Sequence, residues 1–119
     1  MVASFKPRAY LKEGCPFSFK FLLFMTEAGL LDQIRIVRVD AEGPEFERIK
    51  KELGKGLGKS ATFPAAEIQP GKYLAETDRL IEHFSSVGGI EKRSSATMSF
   101  YTDTILPQVV KLHELEQKD

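Results

Sequence analysis

The chain has 119 residues, 42% hydrophobic and 29% charged, the make-up of one globular domain with a real core. Its 17 basic and 17 acidic side chains cancel, so neither nucleic acid nor an acidic membrane surface is expected as a partner. One cysteine excludes an internal disulfide, the longest apolar run (21–25) is far too short to span a membrane, and the first residues show no apolar signal region. A reducing, cytoplasmic setting is the expectation.

Residues 5–11 read as a first strand, with Pro7 near its start, where proline is tolerated. After Lys12-Glu13-Gly14, Pro16 suits the first position of a helix and leaves Cys15 at the N-cap. Phe17, Phe21, Phe24 and Ala28 recur at helical spacing, and Gly29 closes that helix. Ile34, Ile36, Val37 and Val39 form a β-branched second strand, whose Arg35 and Arg38 predict an edge position. Gly43-Pro44-Glu45 opens a second helix with the stripe Phe46, Ile49, Leu53, ended by Gly54, and residues 55–60 read as a glycine-rich loop. Residues 62–68 make a third strand containing Pro64, Pro70-Gly71 a turn, and residues 72–75 a fourth strand paired with the third. A third helix covers about 77–85, with Leu80, Ile81 and Phe84 on its apolar side, and Gly88-Gly89 breaks it. Residues 88–95 read as a linker. Beyond it Met98, Tyr101, Ile105, Val109 and Leu112 mark a fourth helix, with a kink expected at Pro107.

The order β-α-β-α-β-β-α predicts a mixed four-stranded sheet with helices on both faces: the first two strands parallel, the last two antiparallel. The expected division is a domain over 1–89 and a C-terminal helical extension over 90–119.

Cys15 is the first candidate for chemistry. A thiol at a helix N-terminus meets unpaired backbone N–H groups and the positive end of the helix dipole, which favour the reactive thiolate. Ser18, one turn on, is a hydrogen-bond partner or a first-turn cap. The stretch Gly54-Lys55-Gly56-Leu57-Gly58-Lys59-Ser60 has one residue too few for a phosphate loop and lies after a helix and before a strand, the reverse of that motif's context, so nucleotide binding is rejected. His83 and His113 have no ligand spacing to each other or to Cys15, and no metal site is expected.

Three local patterns carry a family resemblance: Tyr10-Leu11-Lys12-Glu13-Gly14-Cys15-Pro16-Phe17-Ser18, Thr62-Phe63-Pro64, and Glu76-Thr77-Asp78. With the element order, they resemble the thioredoxin fold, and more narrowly glutaredoxins and the N-terminal domain of cysteine-type, omega-like glutathione transferases. The resemblance covers roughly residues 5–89. It implies that Cys15 is the nucleophile and that Pro64 is cis, with the Phe63 backbone offered to the cysteinyl part of glutathione. It also implies that the start of the third helix receives the γ-glutamyl group, with Thr77 at the helix start and Glu76 or Asp78 accepting its ammonium. Lys12 and Lys59 are the candidate cations for the glycyl carboxylate, and Phe17 completes the implied glutathione contacts. The chain departs from the pattern at Ser18, where dithiol glutaredoxins have a second cysteine, at Thr77, where serine is usual, and in a loop after Pro64 one residue longer than in a typical glutaredoxin. Only about thirty residues follow the domain, so a transferase's second-substrate pocket is expected to be absent or supplied by another chain.

The function implied is a glutathione-dependent thiol–disulfide oxidoreductase of monothiol character, acting on glutathione and protein disulfides. A non-catalytic transferase-like domain that binds a protein partner and a truncated transferase remain the alternatives. The stripe after residue 95 is core packing or a homodimer contact.

Overall fold

The computed structural model describes residues 5–89 and 95–116. The elements are β1 (Arg8–Lys12), α1 (Pro16–Glu27), a 3-10 turn (Leu31–Gln33), β2 (Arg35–Val39), α2 (Phe46–Leu57), β3 (Ala65–Gln69), β4 (Lys72–Ala75) and α3 (Thr77–Gly88). Then come α4 (Ala96–Phe100), a π-helical segment (Tyr101–Ile105) and α5 (Leu106–Glu116). The sheet order is β2-β1-β3-β4, with β1 parallel to β2 and antiparallel to β3, and β3 antiparallel to β4. This is the thioredoxin-like arrangement the sequence predicts, and β2 is the edge strand that Arg35 and Arg38 signalled.

Strand alternation divides the core between the two faces of the sheet. Ala9, Leu11 and Ala66 pack with Phe21, Phe24 and Met25 of α1 and Leu80, Ile81 and Phe84 of α3. Tyr10, Val39, Ala65 and Ala75 pack with Ile49 and Leu53 of α2. Glu67, buried in β3, accepts from the Arg8 guanidinium at 2.8 Å and from the Gly71 N–H at 2.9 Å, which ties β1 to the β3–β4 turn.

Several boundaries differ from the sequence reading. β1 begins after Pro7, whose ring removes the N–H a ladder needs; its carbonyl still accepts from the Arg35 N–H at 2.8 Å. β3 begins after Pro64 for the same reason. α2 does not stop at Gly54 but continues to Leu57 and is capped by Gly58 in the left-handed conformation (φ 73°). Half of the expected glycine loop is therefore helix. Gly56 is needed there because a β-carbon would collide with the Tyr73 ring of β4, so this glycine lets α2 lie close on the sheet. α3 runs to Gly88, and Gly89 is its left-handed cap. Of the expected linker, Gly88 is helical, Ser95 caps α4 through its hydroxyl, and residues 90–94 lie outside the described residues.

The C-terminal helix keeps its length but not its expected face. Met98 is buried, yet Ile105, Val109 and Leu112 are exposed, and Leu106 docks in place of Ile105. The π-helical segment is the cause. A π turn holds one residue more than an α turn, so the buried face slips by one position after Tyr101. Pro107 is the second residue after the segment, in the first turn of α5. Its missing N–H and its ring both disfavour a regular α turn there, which is where the sequence placed a kink.

Candidate active site around Cys15

Cys15 is the N-cap of α1, in extended conformation, with Pro16 at the first helical position. Its sulfur accepts the Ser18 N–H at 3.4 Å, and its thiol faces the Phe63 carbonyl at 3.8 Å. The Phe63-Pro64 bond is cis. The sulfur therefore stands between a helix N-terminus and the backbone just before β3, and is partly exposed.

Ser18 is buried, and its hydroxyl accepts the Lys12 N–H at 3.1 Å. The Ser18 hydroxyl thus takes neither of the expected roles: the residue's backbone serves Cys15, while its side chain closes the β1–α1 turn. The Lys12 ammonium lies 5.9 Å from the centre of the Phe46 ring, which stacks on the Phe63 ring at 6.1 Å. Lys12, Phe46 and Phe63 thus form one wall beside the cis proline.

The start of α3 forms a second charged group. Glu76 precedes the helix with φ 78°, the sole non-glycine residue with positive φ among the described residues, a strained conformation held by its surroundings. Its carboxylate pairs with Lys59 at 3.2 Å and with Arg79 at 3.8 Å. Thr77 is buried at the first helical position. Asp78 pairs with Lys20 of α1 at 3.2 Å. The candidate residues Lys59 and Glu76 therefore meet each other, and Asp78 is engaged from α1. Phe17 is the outlier: its ring is 41% exposed on the first turn of α1.

The sequence reading missed four contributors. Arg79 could have been found as the i+3 partner of Glu76, and Lys20 as a cation on the helix that follows the cysteine. Phe19 was passed over because it falls off the apolar stripe of α1; it is 47% exposed and faces Tyr101 edge-on at 4.9 Å. No local pattern announces Tyr101 itself. Its hydroxyl donates to the Pro16 carbonyl at 2.5 Å, from a position 85 residues along the chain. Burial first, and the nearby Cys15 charge second, hold the Tyr101 phenol above its ordinary range.

A groove of about 460 Å³ opens beside the sulfur, lined by Leu11, Lys12, Cys15, Phe19, Ile36 and Arg38 among others. Its floor is apolar and its rim charged. β1, α1 and the edge strand β2 form it within this chain.

The sequence matches no known protein-family model and no curated protein. Solved structures do match. One is described as a possible glutathione S-transferase from Rhodopseudomonas palustris, with TM-score 0.55 and 20% identity over 92% of this chain and 57% of that one. Another is glutathione transferase Omega 3C from Trametes versicolor, with TM-score 0.56 and 20% identity over 92% of this chain and 44% of that one. The chain therefore spans about half the length of these structures. At this identity the likeness is one of fold. Among the described residues, no helix is long and apolar enough to cross a membrane. The architecture around Cys15 is the thioredoxin-like fold shared with glutathione transferases, the omega class included.

Proposed function

We propose that the chain is a glutathione-dependent thiol–disulfide oxidoreductase of monothiol character, with Cys15 as its nucleophile, working in a reducing compartment such as the cytoplasm. The observation that carries this reading is the sulfur at the N-cap of α1, accepting the Ser18 N–H and facing the carbonyl before a cis proline. Hydrogen bonding to the thiolate and the helix N-terminus both favour the ionised form.

The chemistry follows from one thiol. The Cys15 thiolate attacks the glutathionyl sulfur of a mixed disulfide; the new S–S bond forms as the old one breaks, and the substrate leaves as a thiolate that takes a proton from water. A glutathione thiolate then attacks the Cys15–glutathione disulfide, releasing oxidised glutathione and restoring Cys15. The Ser18 hydroxyl, bonded to the Lys12 N–H, takes no part in exchange. Glutathione suits the charges present: Glu76 or Asp78 for its ammonium, the α3 N-terminus at Thr77 for the γ-glutamyl carboxylate, the Phe63 backbone for the cysteinyl unit, and Lys12 or Lys59 for the glycyl carboxylate. Phe17 supplies an exposed ring at the rim. Binding at Glu76 requires the Lys59–Glu76 pair to open, which frees Lys59 for that glycyl carboxylate.

Purified protein is expected to reduce a glutathione mixed disulfide, and Cys15→Ser is expected to abolish turnover. Equal rates for the two proteins would sink the reading.

A second reading is favoured by the exposed apolar side chains of the C-terminal helix, Phe100, Ile105, Leu112 and Leu115. On that reading the chain is a transferase-like module that binds a protein partner, or a second copy of itself, and turns nothing over. It predicts no rise in melting temperature at millimolar glutathione, whereas the first reading predicts one.

A further inference from the structure

Tyr101 lies in the segment that follows the domain, yet it reaches the first turn of α1. Its hydroxyl donates to the Pro16 carbonyl at 2.5 Å, and its ring stands edge-on to Phe19 at 4.9 Å. Pro16 is bonded directly to Cys15. It carries no N–H, so the donor that reaches the sulfur comes from Ser18, at 3.4 Å. That is an ordinary length for a bond to sulfur, and its direction depends on the tilt of the turn. Two struts hold the turn: the Ser18 hydroxyl on the Lys12 N–H, and Tyr101 on the Pro16 carbonyl.

The π-helical segment makes the second strut feasible. In a regular α-helix, residues five apart point about 140° away from each other. Tyr101 and Leu106 are five apart, and both face the domain. The Leu106 N–H bonds the Tyr101 carbonyl across the π turn, which brings the two nearly into line. Leu106 can therefore dock while Tyr101 keeps Pro16. Single π turns of this kind are frequent at functional sites.

We propose that Tyr101 is a positioning residue of the Cys15 site, which pins the Pro16 carbonyl and thereby holds the first turn of α1 against the sulfur, so that the C-terminal helix governs how readily Cys15 ionises. This rests on the reading of Cys15 as the nucleophile. Lys12 and Glu13 from the β1–α1 turn and Arg38 from β2 share the sulfur's groove and act alike with or without the Tyr101 hydroxyl. Cys15 is the ionisable group whose charge bears on the Tyr101 phenol, and burial keeps that phenol protonated where a thiol titrates.

The test is the rate of Cys15 alkylation by iodoacetamide against pH, in the unaltered chain and in Tyr101→Phe, which keeps the ring and removes the hydroxyl. The unaltered chain should react faster at pH 7 than a free thiol does. Tyr101→Phe should react about three- to tenfold more slowly at pH 7, the effect of one hydrogen bond, with the same limiting rate once the thiol is fully ionised. A midpoint unchanged by Tyr101→Phe, or a loss in the limiting rate alone, overturns the positioning role and leaves the nucleophile reading standing. A rate at pH 7 no faster than a free thiol's in the unaltered chain overturns the nucleophile reading itself. A second measurement does not depend on the tyrosine variant folding: in Cys15→Ser the Tyr101 phenol should ionise at lower pH than in the unaltered chain, followed by its ring-carbon NMR signal, because coupling between two sites is reciprocal. An unchanged Tyr101 midpoint there counts against the proposal.

Discussion

The sheet-bearing part of the chain, residues 5–89, and the helix that follows it are built from similar residues and are held very differently. In the domain, each sheet face meets a helix whose stripe matches it, and Phe21, Met25, Leu53 and Leu80 are sealed from water. In the C-terminal helix, Met98 and Leu106 are the buried apolar residues among those described, while Phe100, Ile105, Val109, Leu112 and Leu115 stay exposed. The difference shows that helical periodicity identifies a helix without saying how many of its faces have a partner. It also separates two kinds of support for Cys15: the domain sets where the sulfur stands, and the helix adds one aromatic strut.

The largest effect expected from breaking this contrast lies in the domain. Phe21→Ala should cost about 3–5 kcal/mol, read from urea unfolding, because Phe21 is wholly buried between α1, the sheet and α3. A cost under about 1 kcal/mol would mean that this face is far looser than its burial implies. Leu106→Ala should cost less, about 2 kcal/mol, the low end for a buried leucine at the edge of a core. Its signature is regional: hydrogen exchange should quicken in α5 while the amides of β1 and β3 keep their protection. Uniform quickening would show that the helix and the domain unfold as one unit.

The smallest effect is a pH response confined to the domain. His83 of α3 is held below its ordinary value, first by burial and second by the charge of Lys72, and its ring meets Phe84 edge-on at 4.9 Å. The folded state thus prefers neutral His83. That stability is fully present above the ordinary value of about 6.5 and is lost as pH falls through the lower folded value. In His83→Gln the acid side of the urea midpoint against pH should flatten; an identical slope would assign the response to other groups.

The sequence was most legible where one residue type has one use. Pro16 after Cys15 marked the start of α1, the arginines of β2 marked the edge, and Thr62-Phe63-Pro64 marked the cis bond through its family resemblance. It was least legible where a distant contact decides. Gly54 looked like a helix stop, but the helix continues to Leu57, and Gly56 allows α2 to lie against Tyr73. The stripe through Ile105 and Val109 was regular on a 3.6-residue period, and one π turn displaced it. The charged cradle at Glu76 was named, while its pairing with Lys59 emerged only from the meeting of the loop before Pro64 with α3.

Ser18 sets how far this chain stands from a two-thiol relative. The position looks like a single-substitution retrofit, since a cysteine there would complete a Cys-Pro-Phe-Cys motif. Yet Ser18 is only 3% exposed, and its hydroxyl has the Lys12 amide as its donor. A thiol is bulkier and a weaker acceptor. Closing a disulfide to Cys15 would also turn that atom away from Lys12, leaving a backbone N–H at the end of β1 without its bond. A dithiol form would therefore need a new acceptor for the Lys12 N–H as well as the second cysteine.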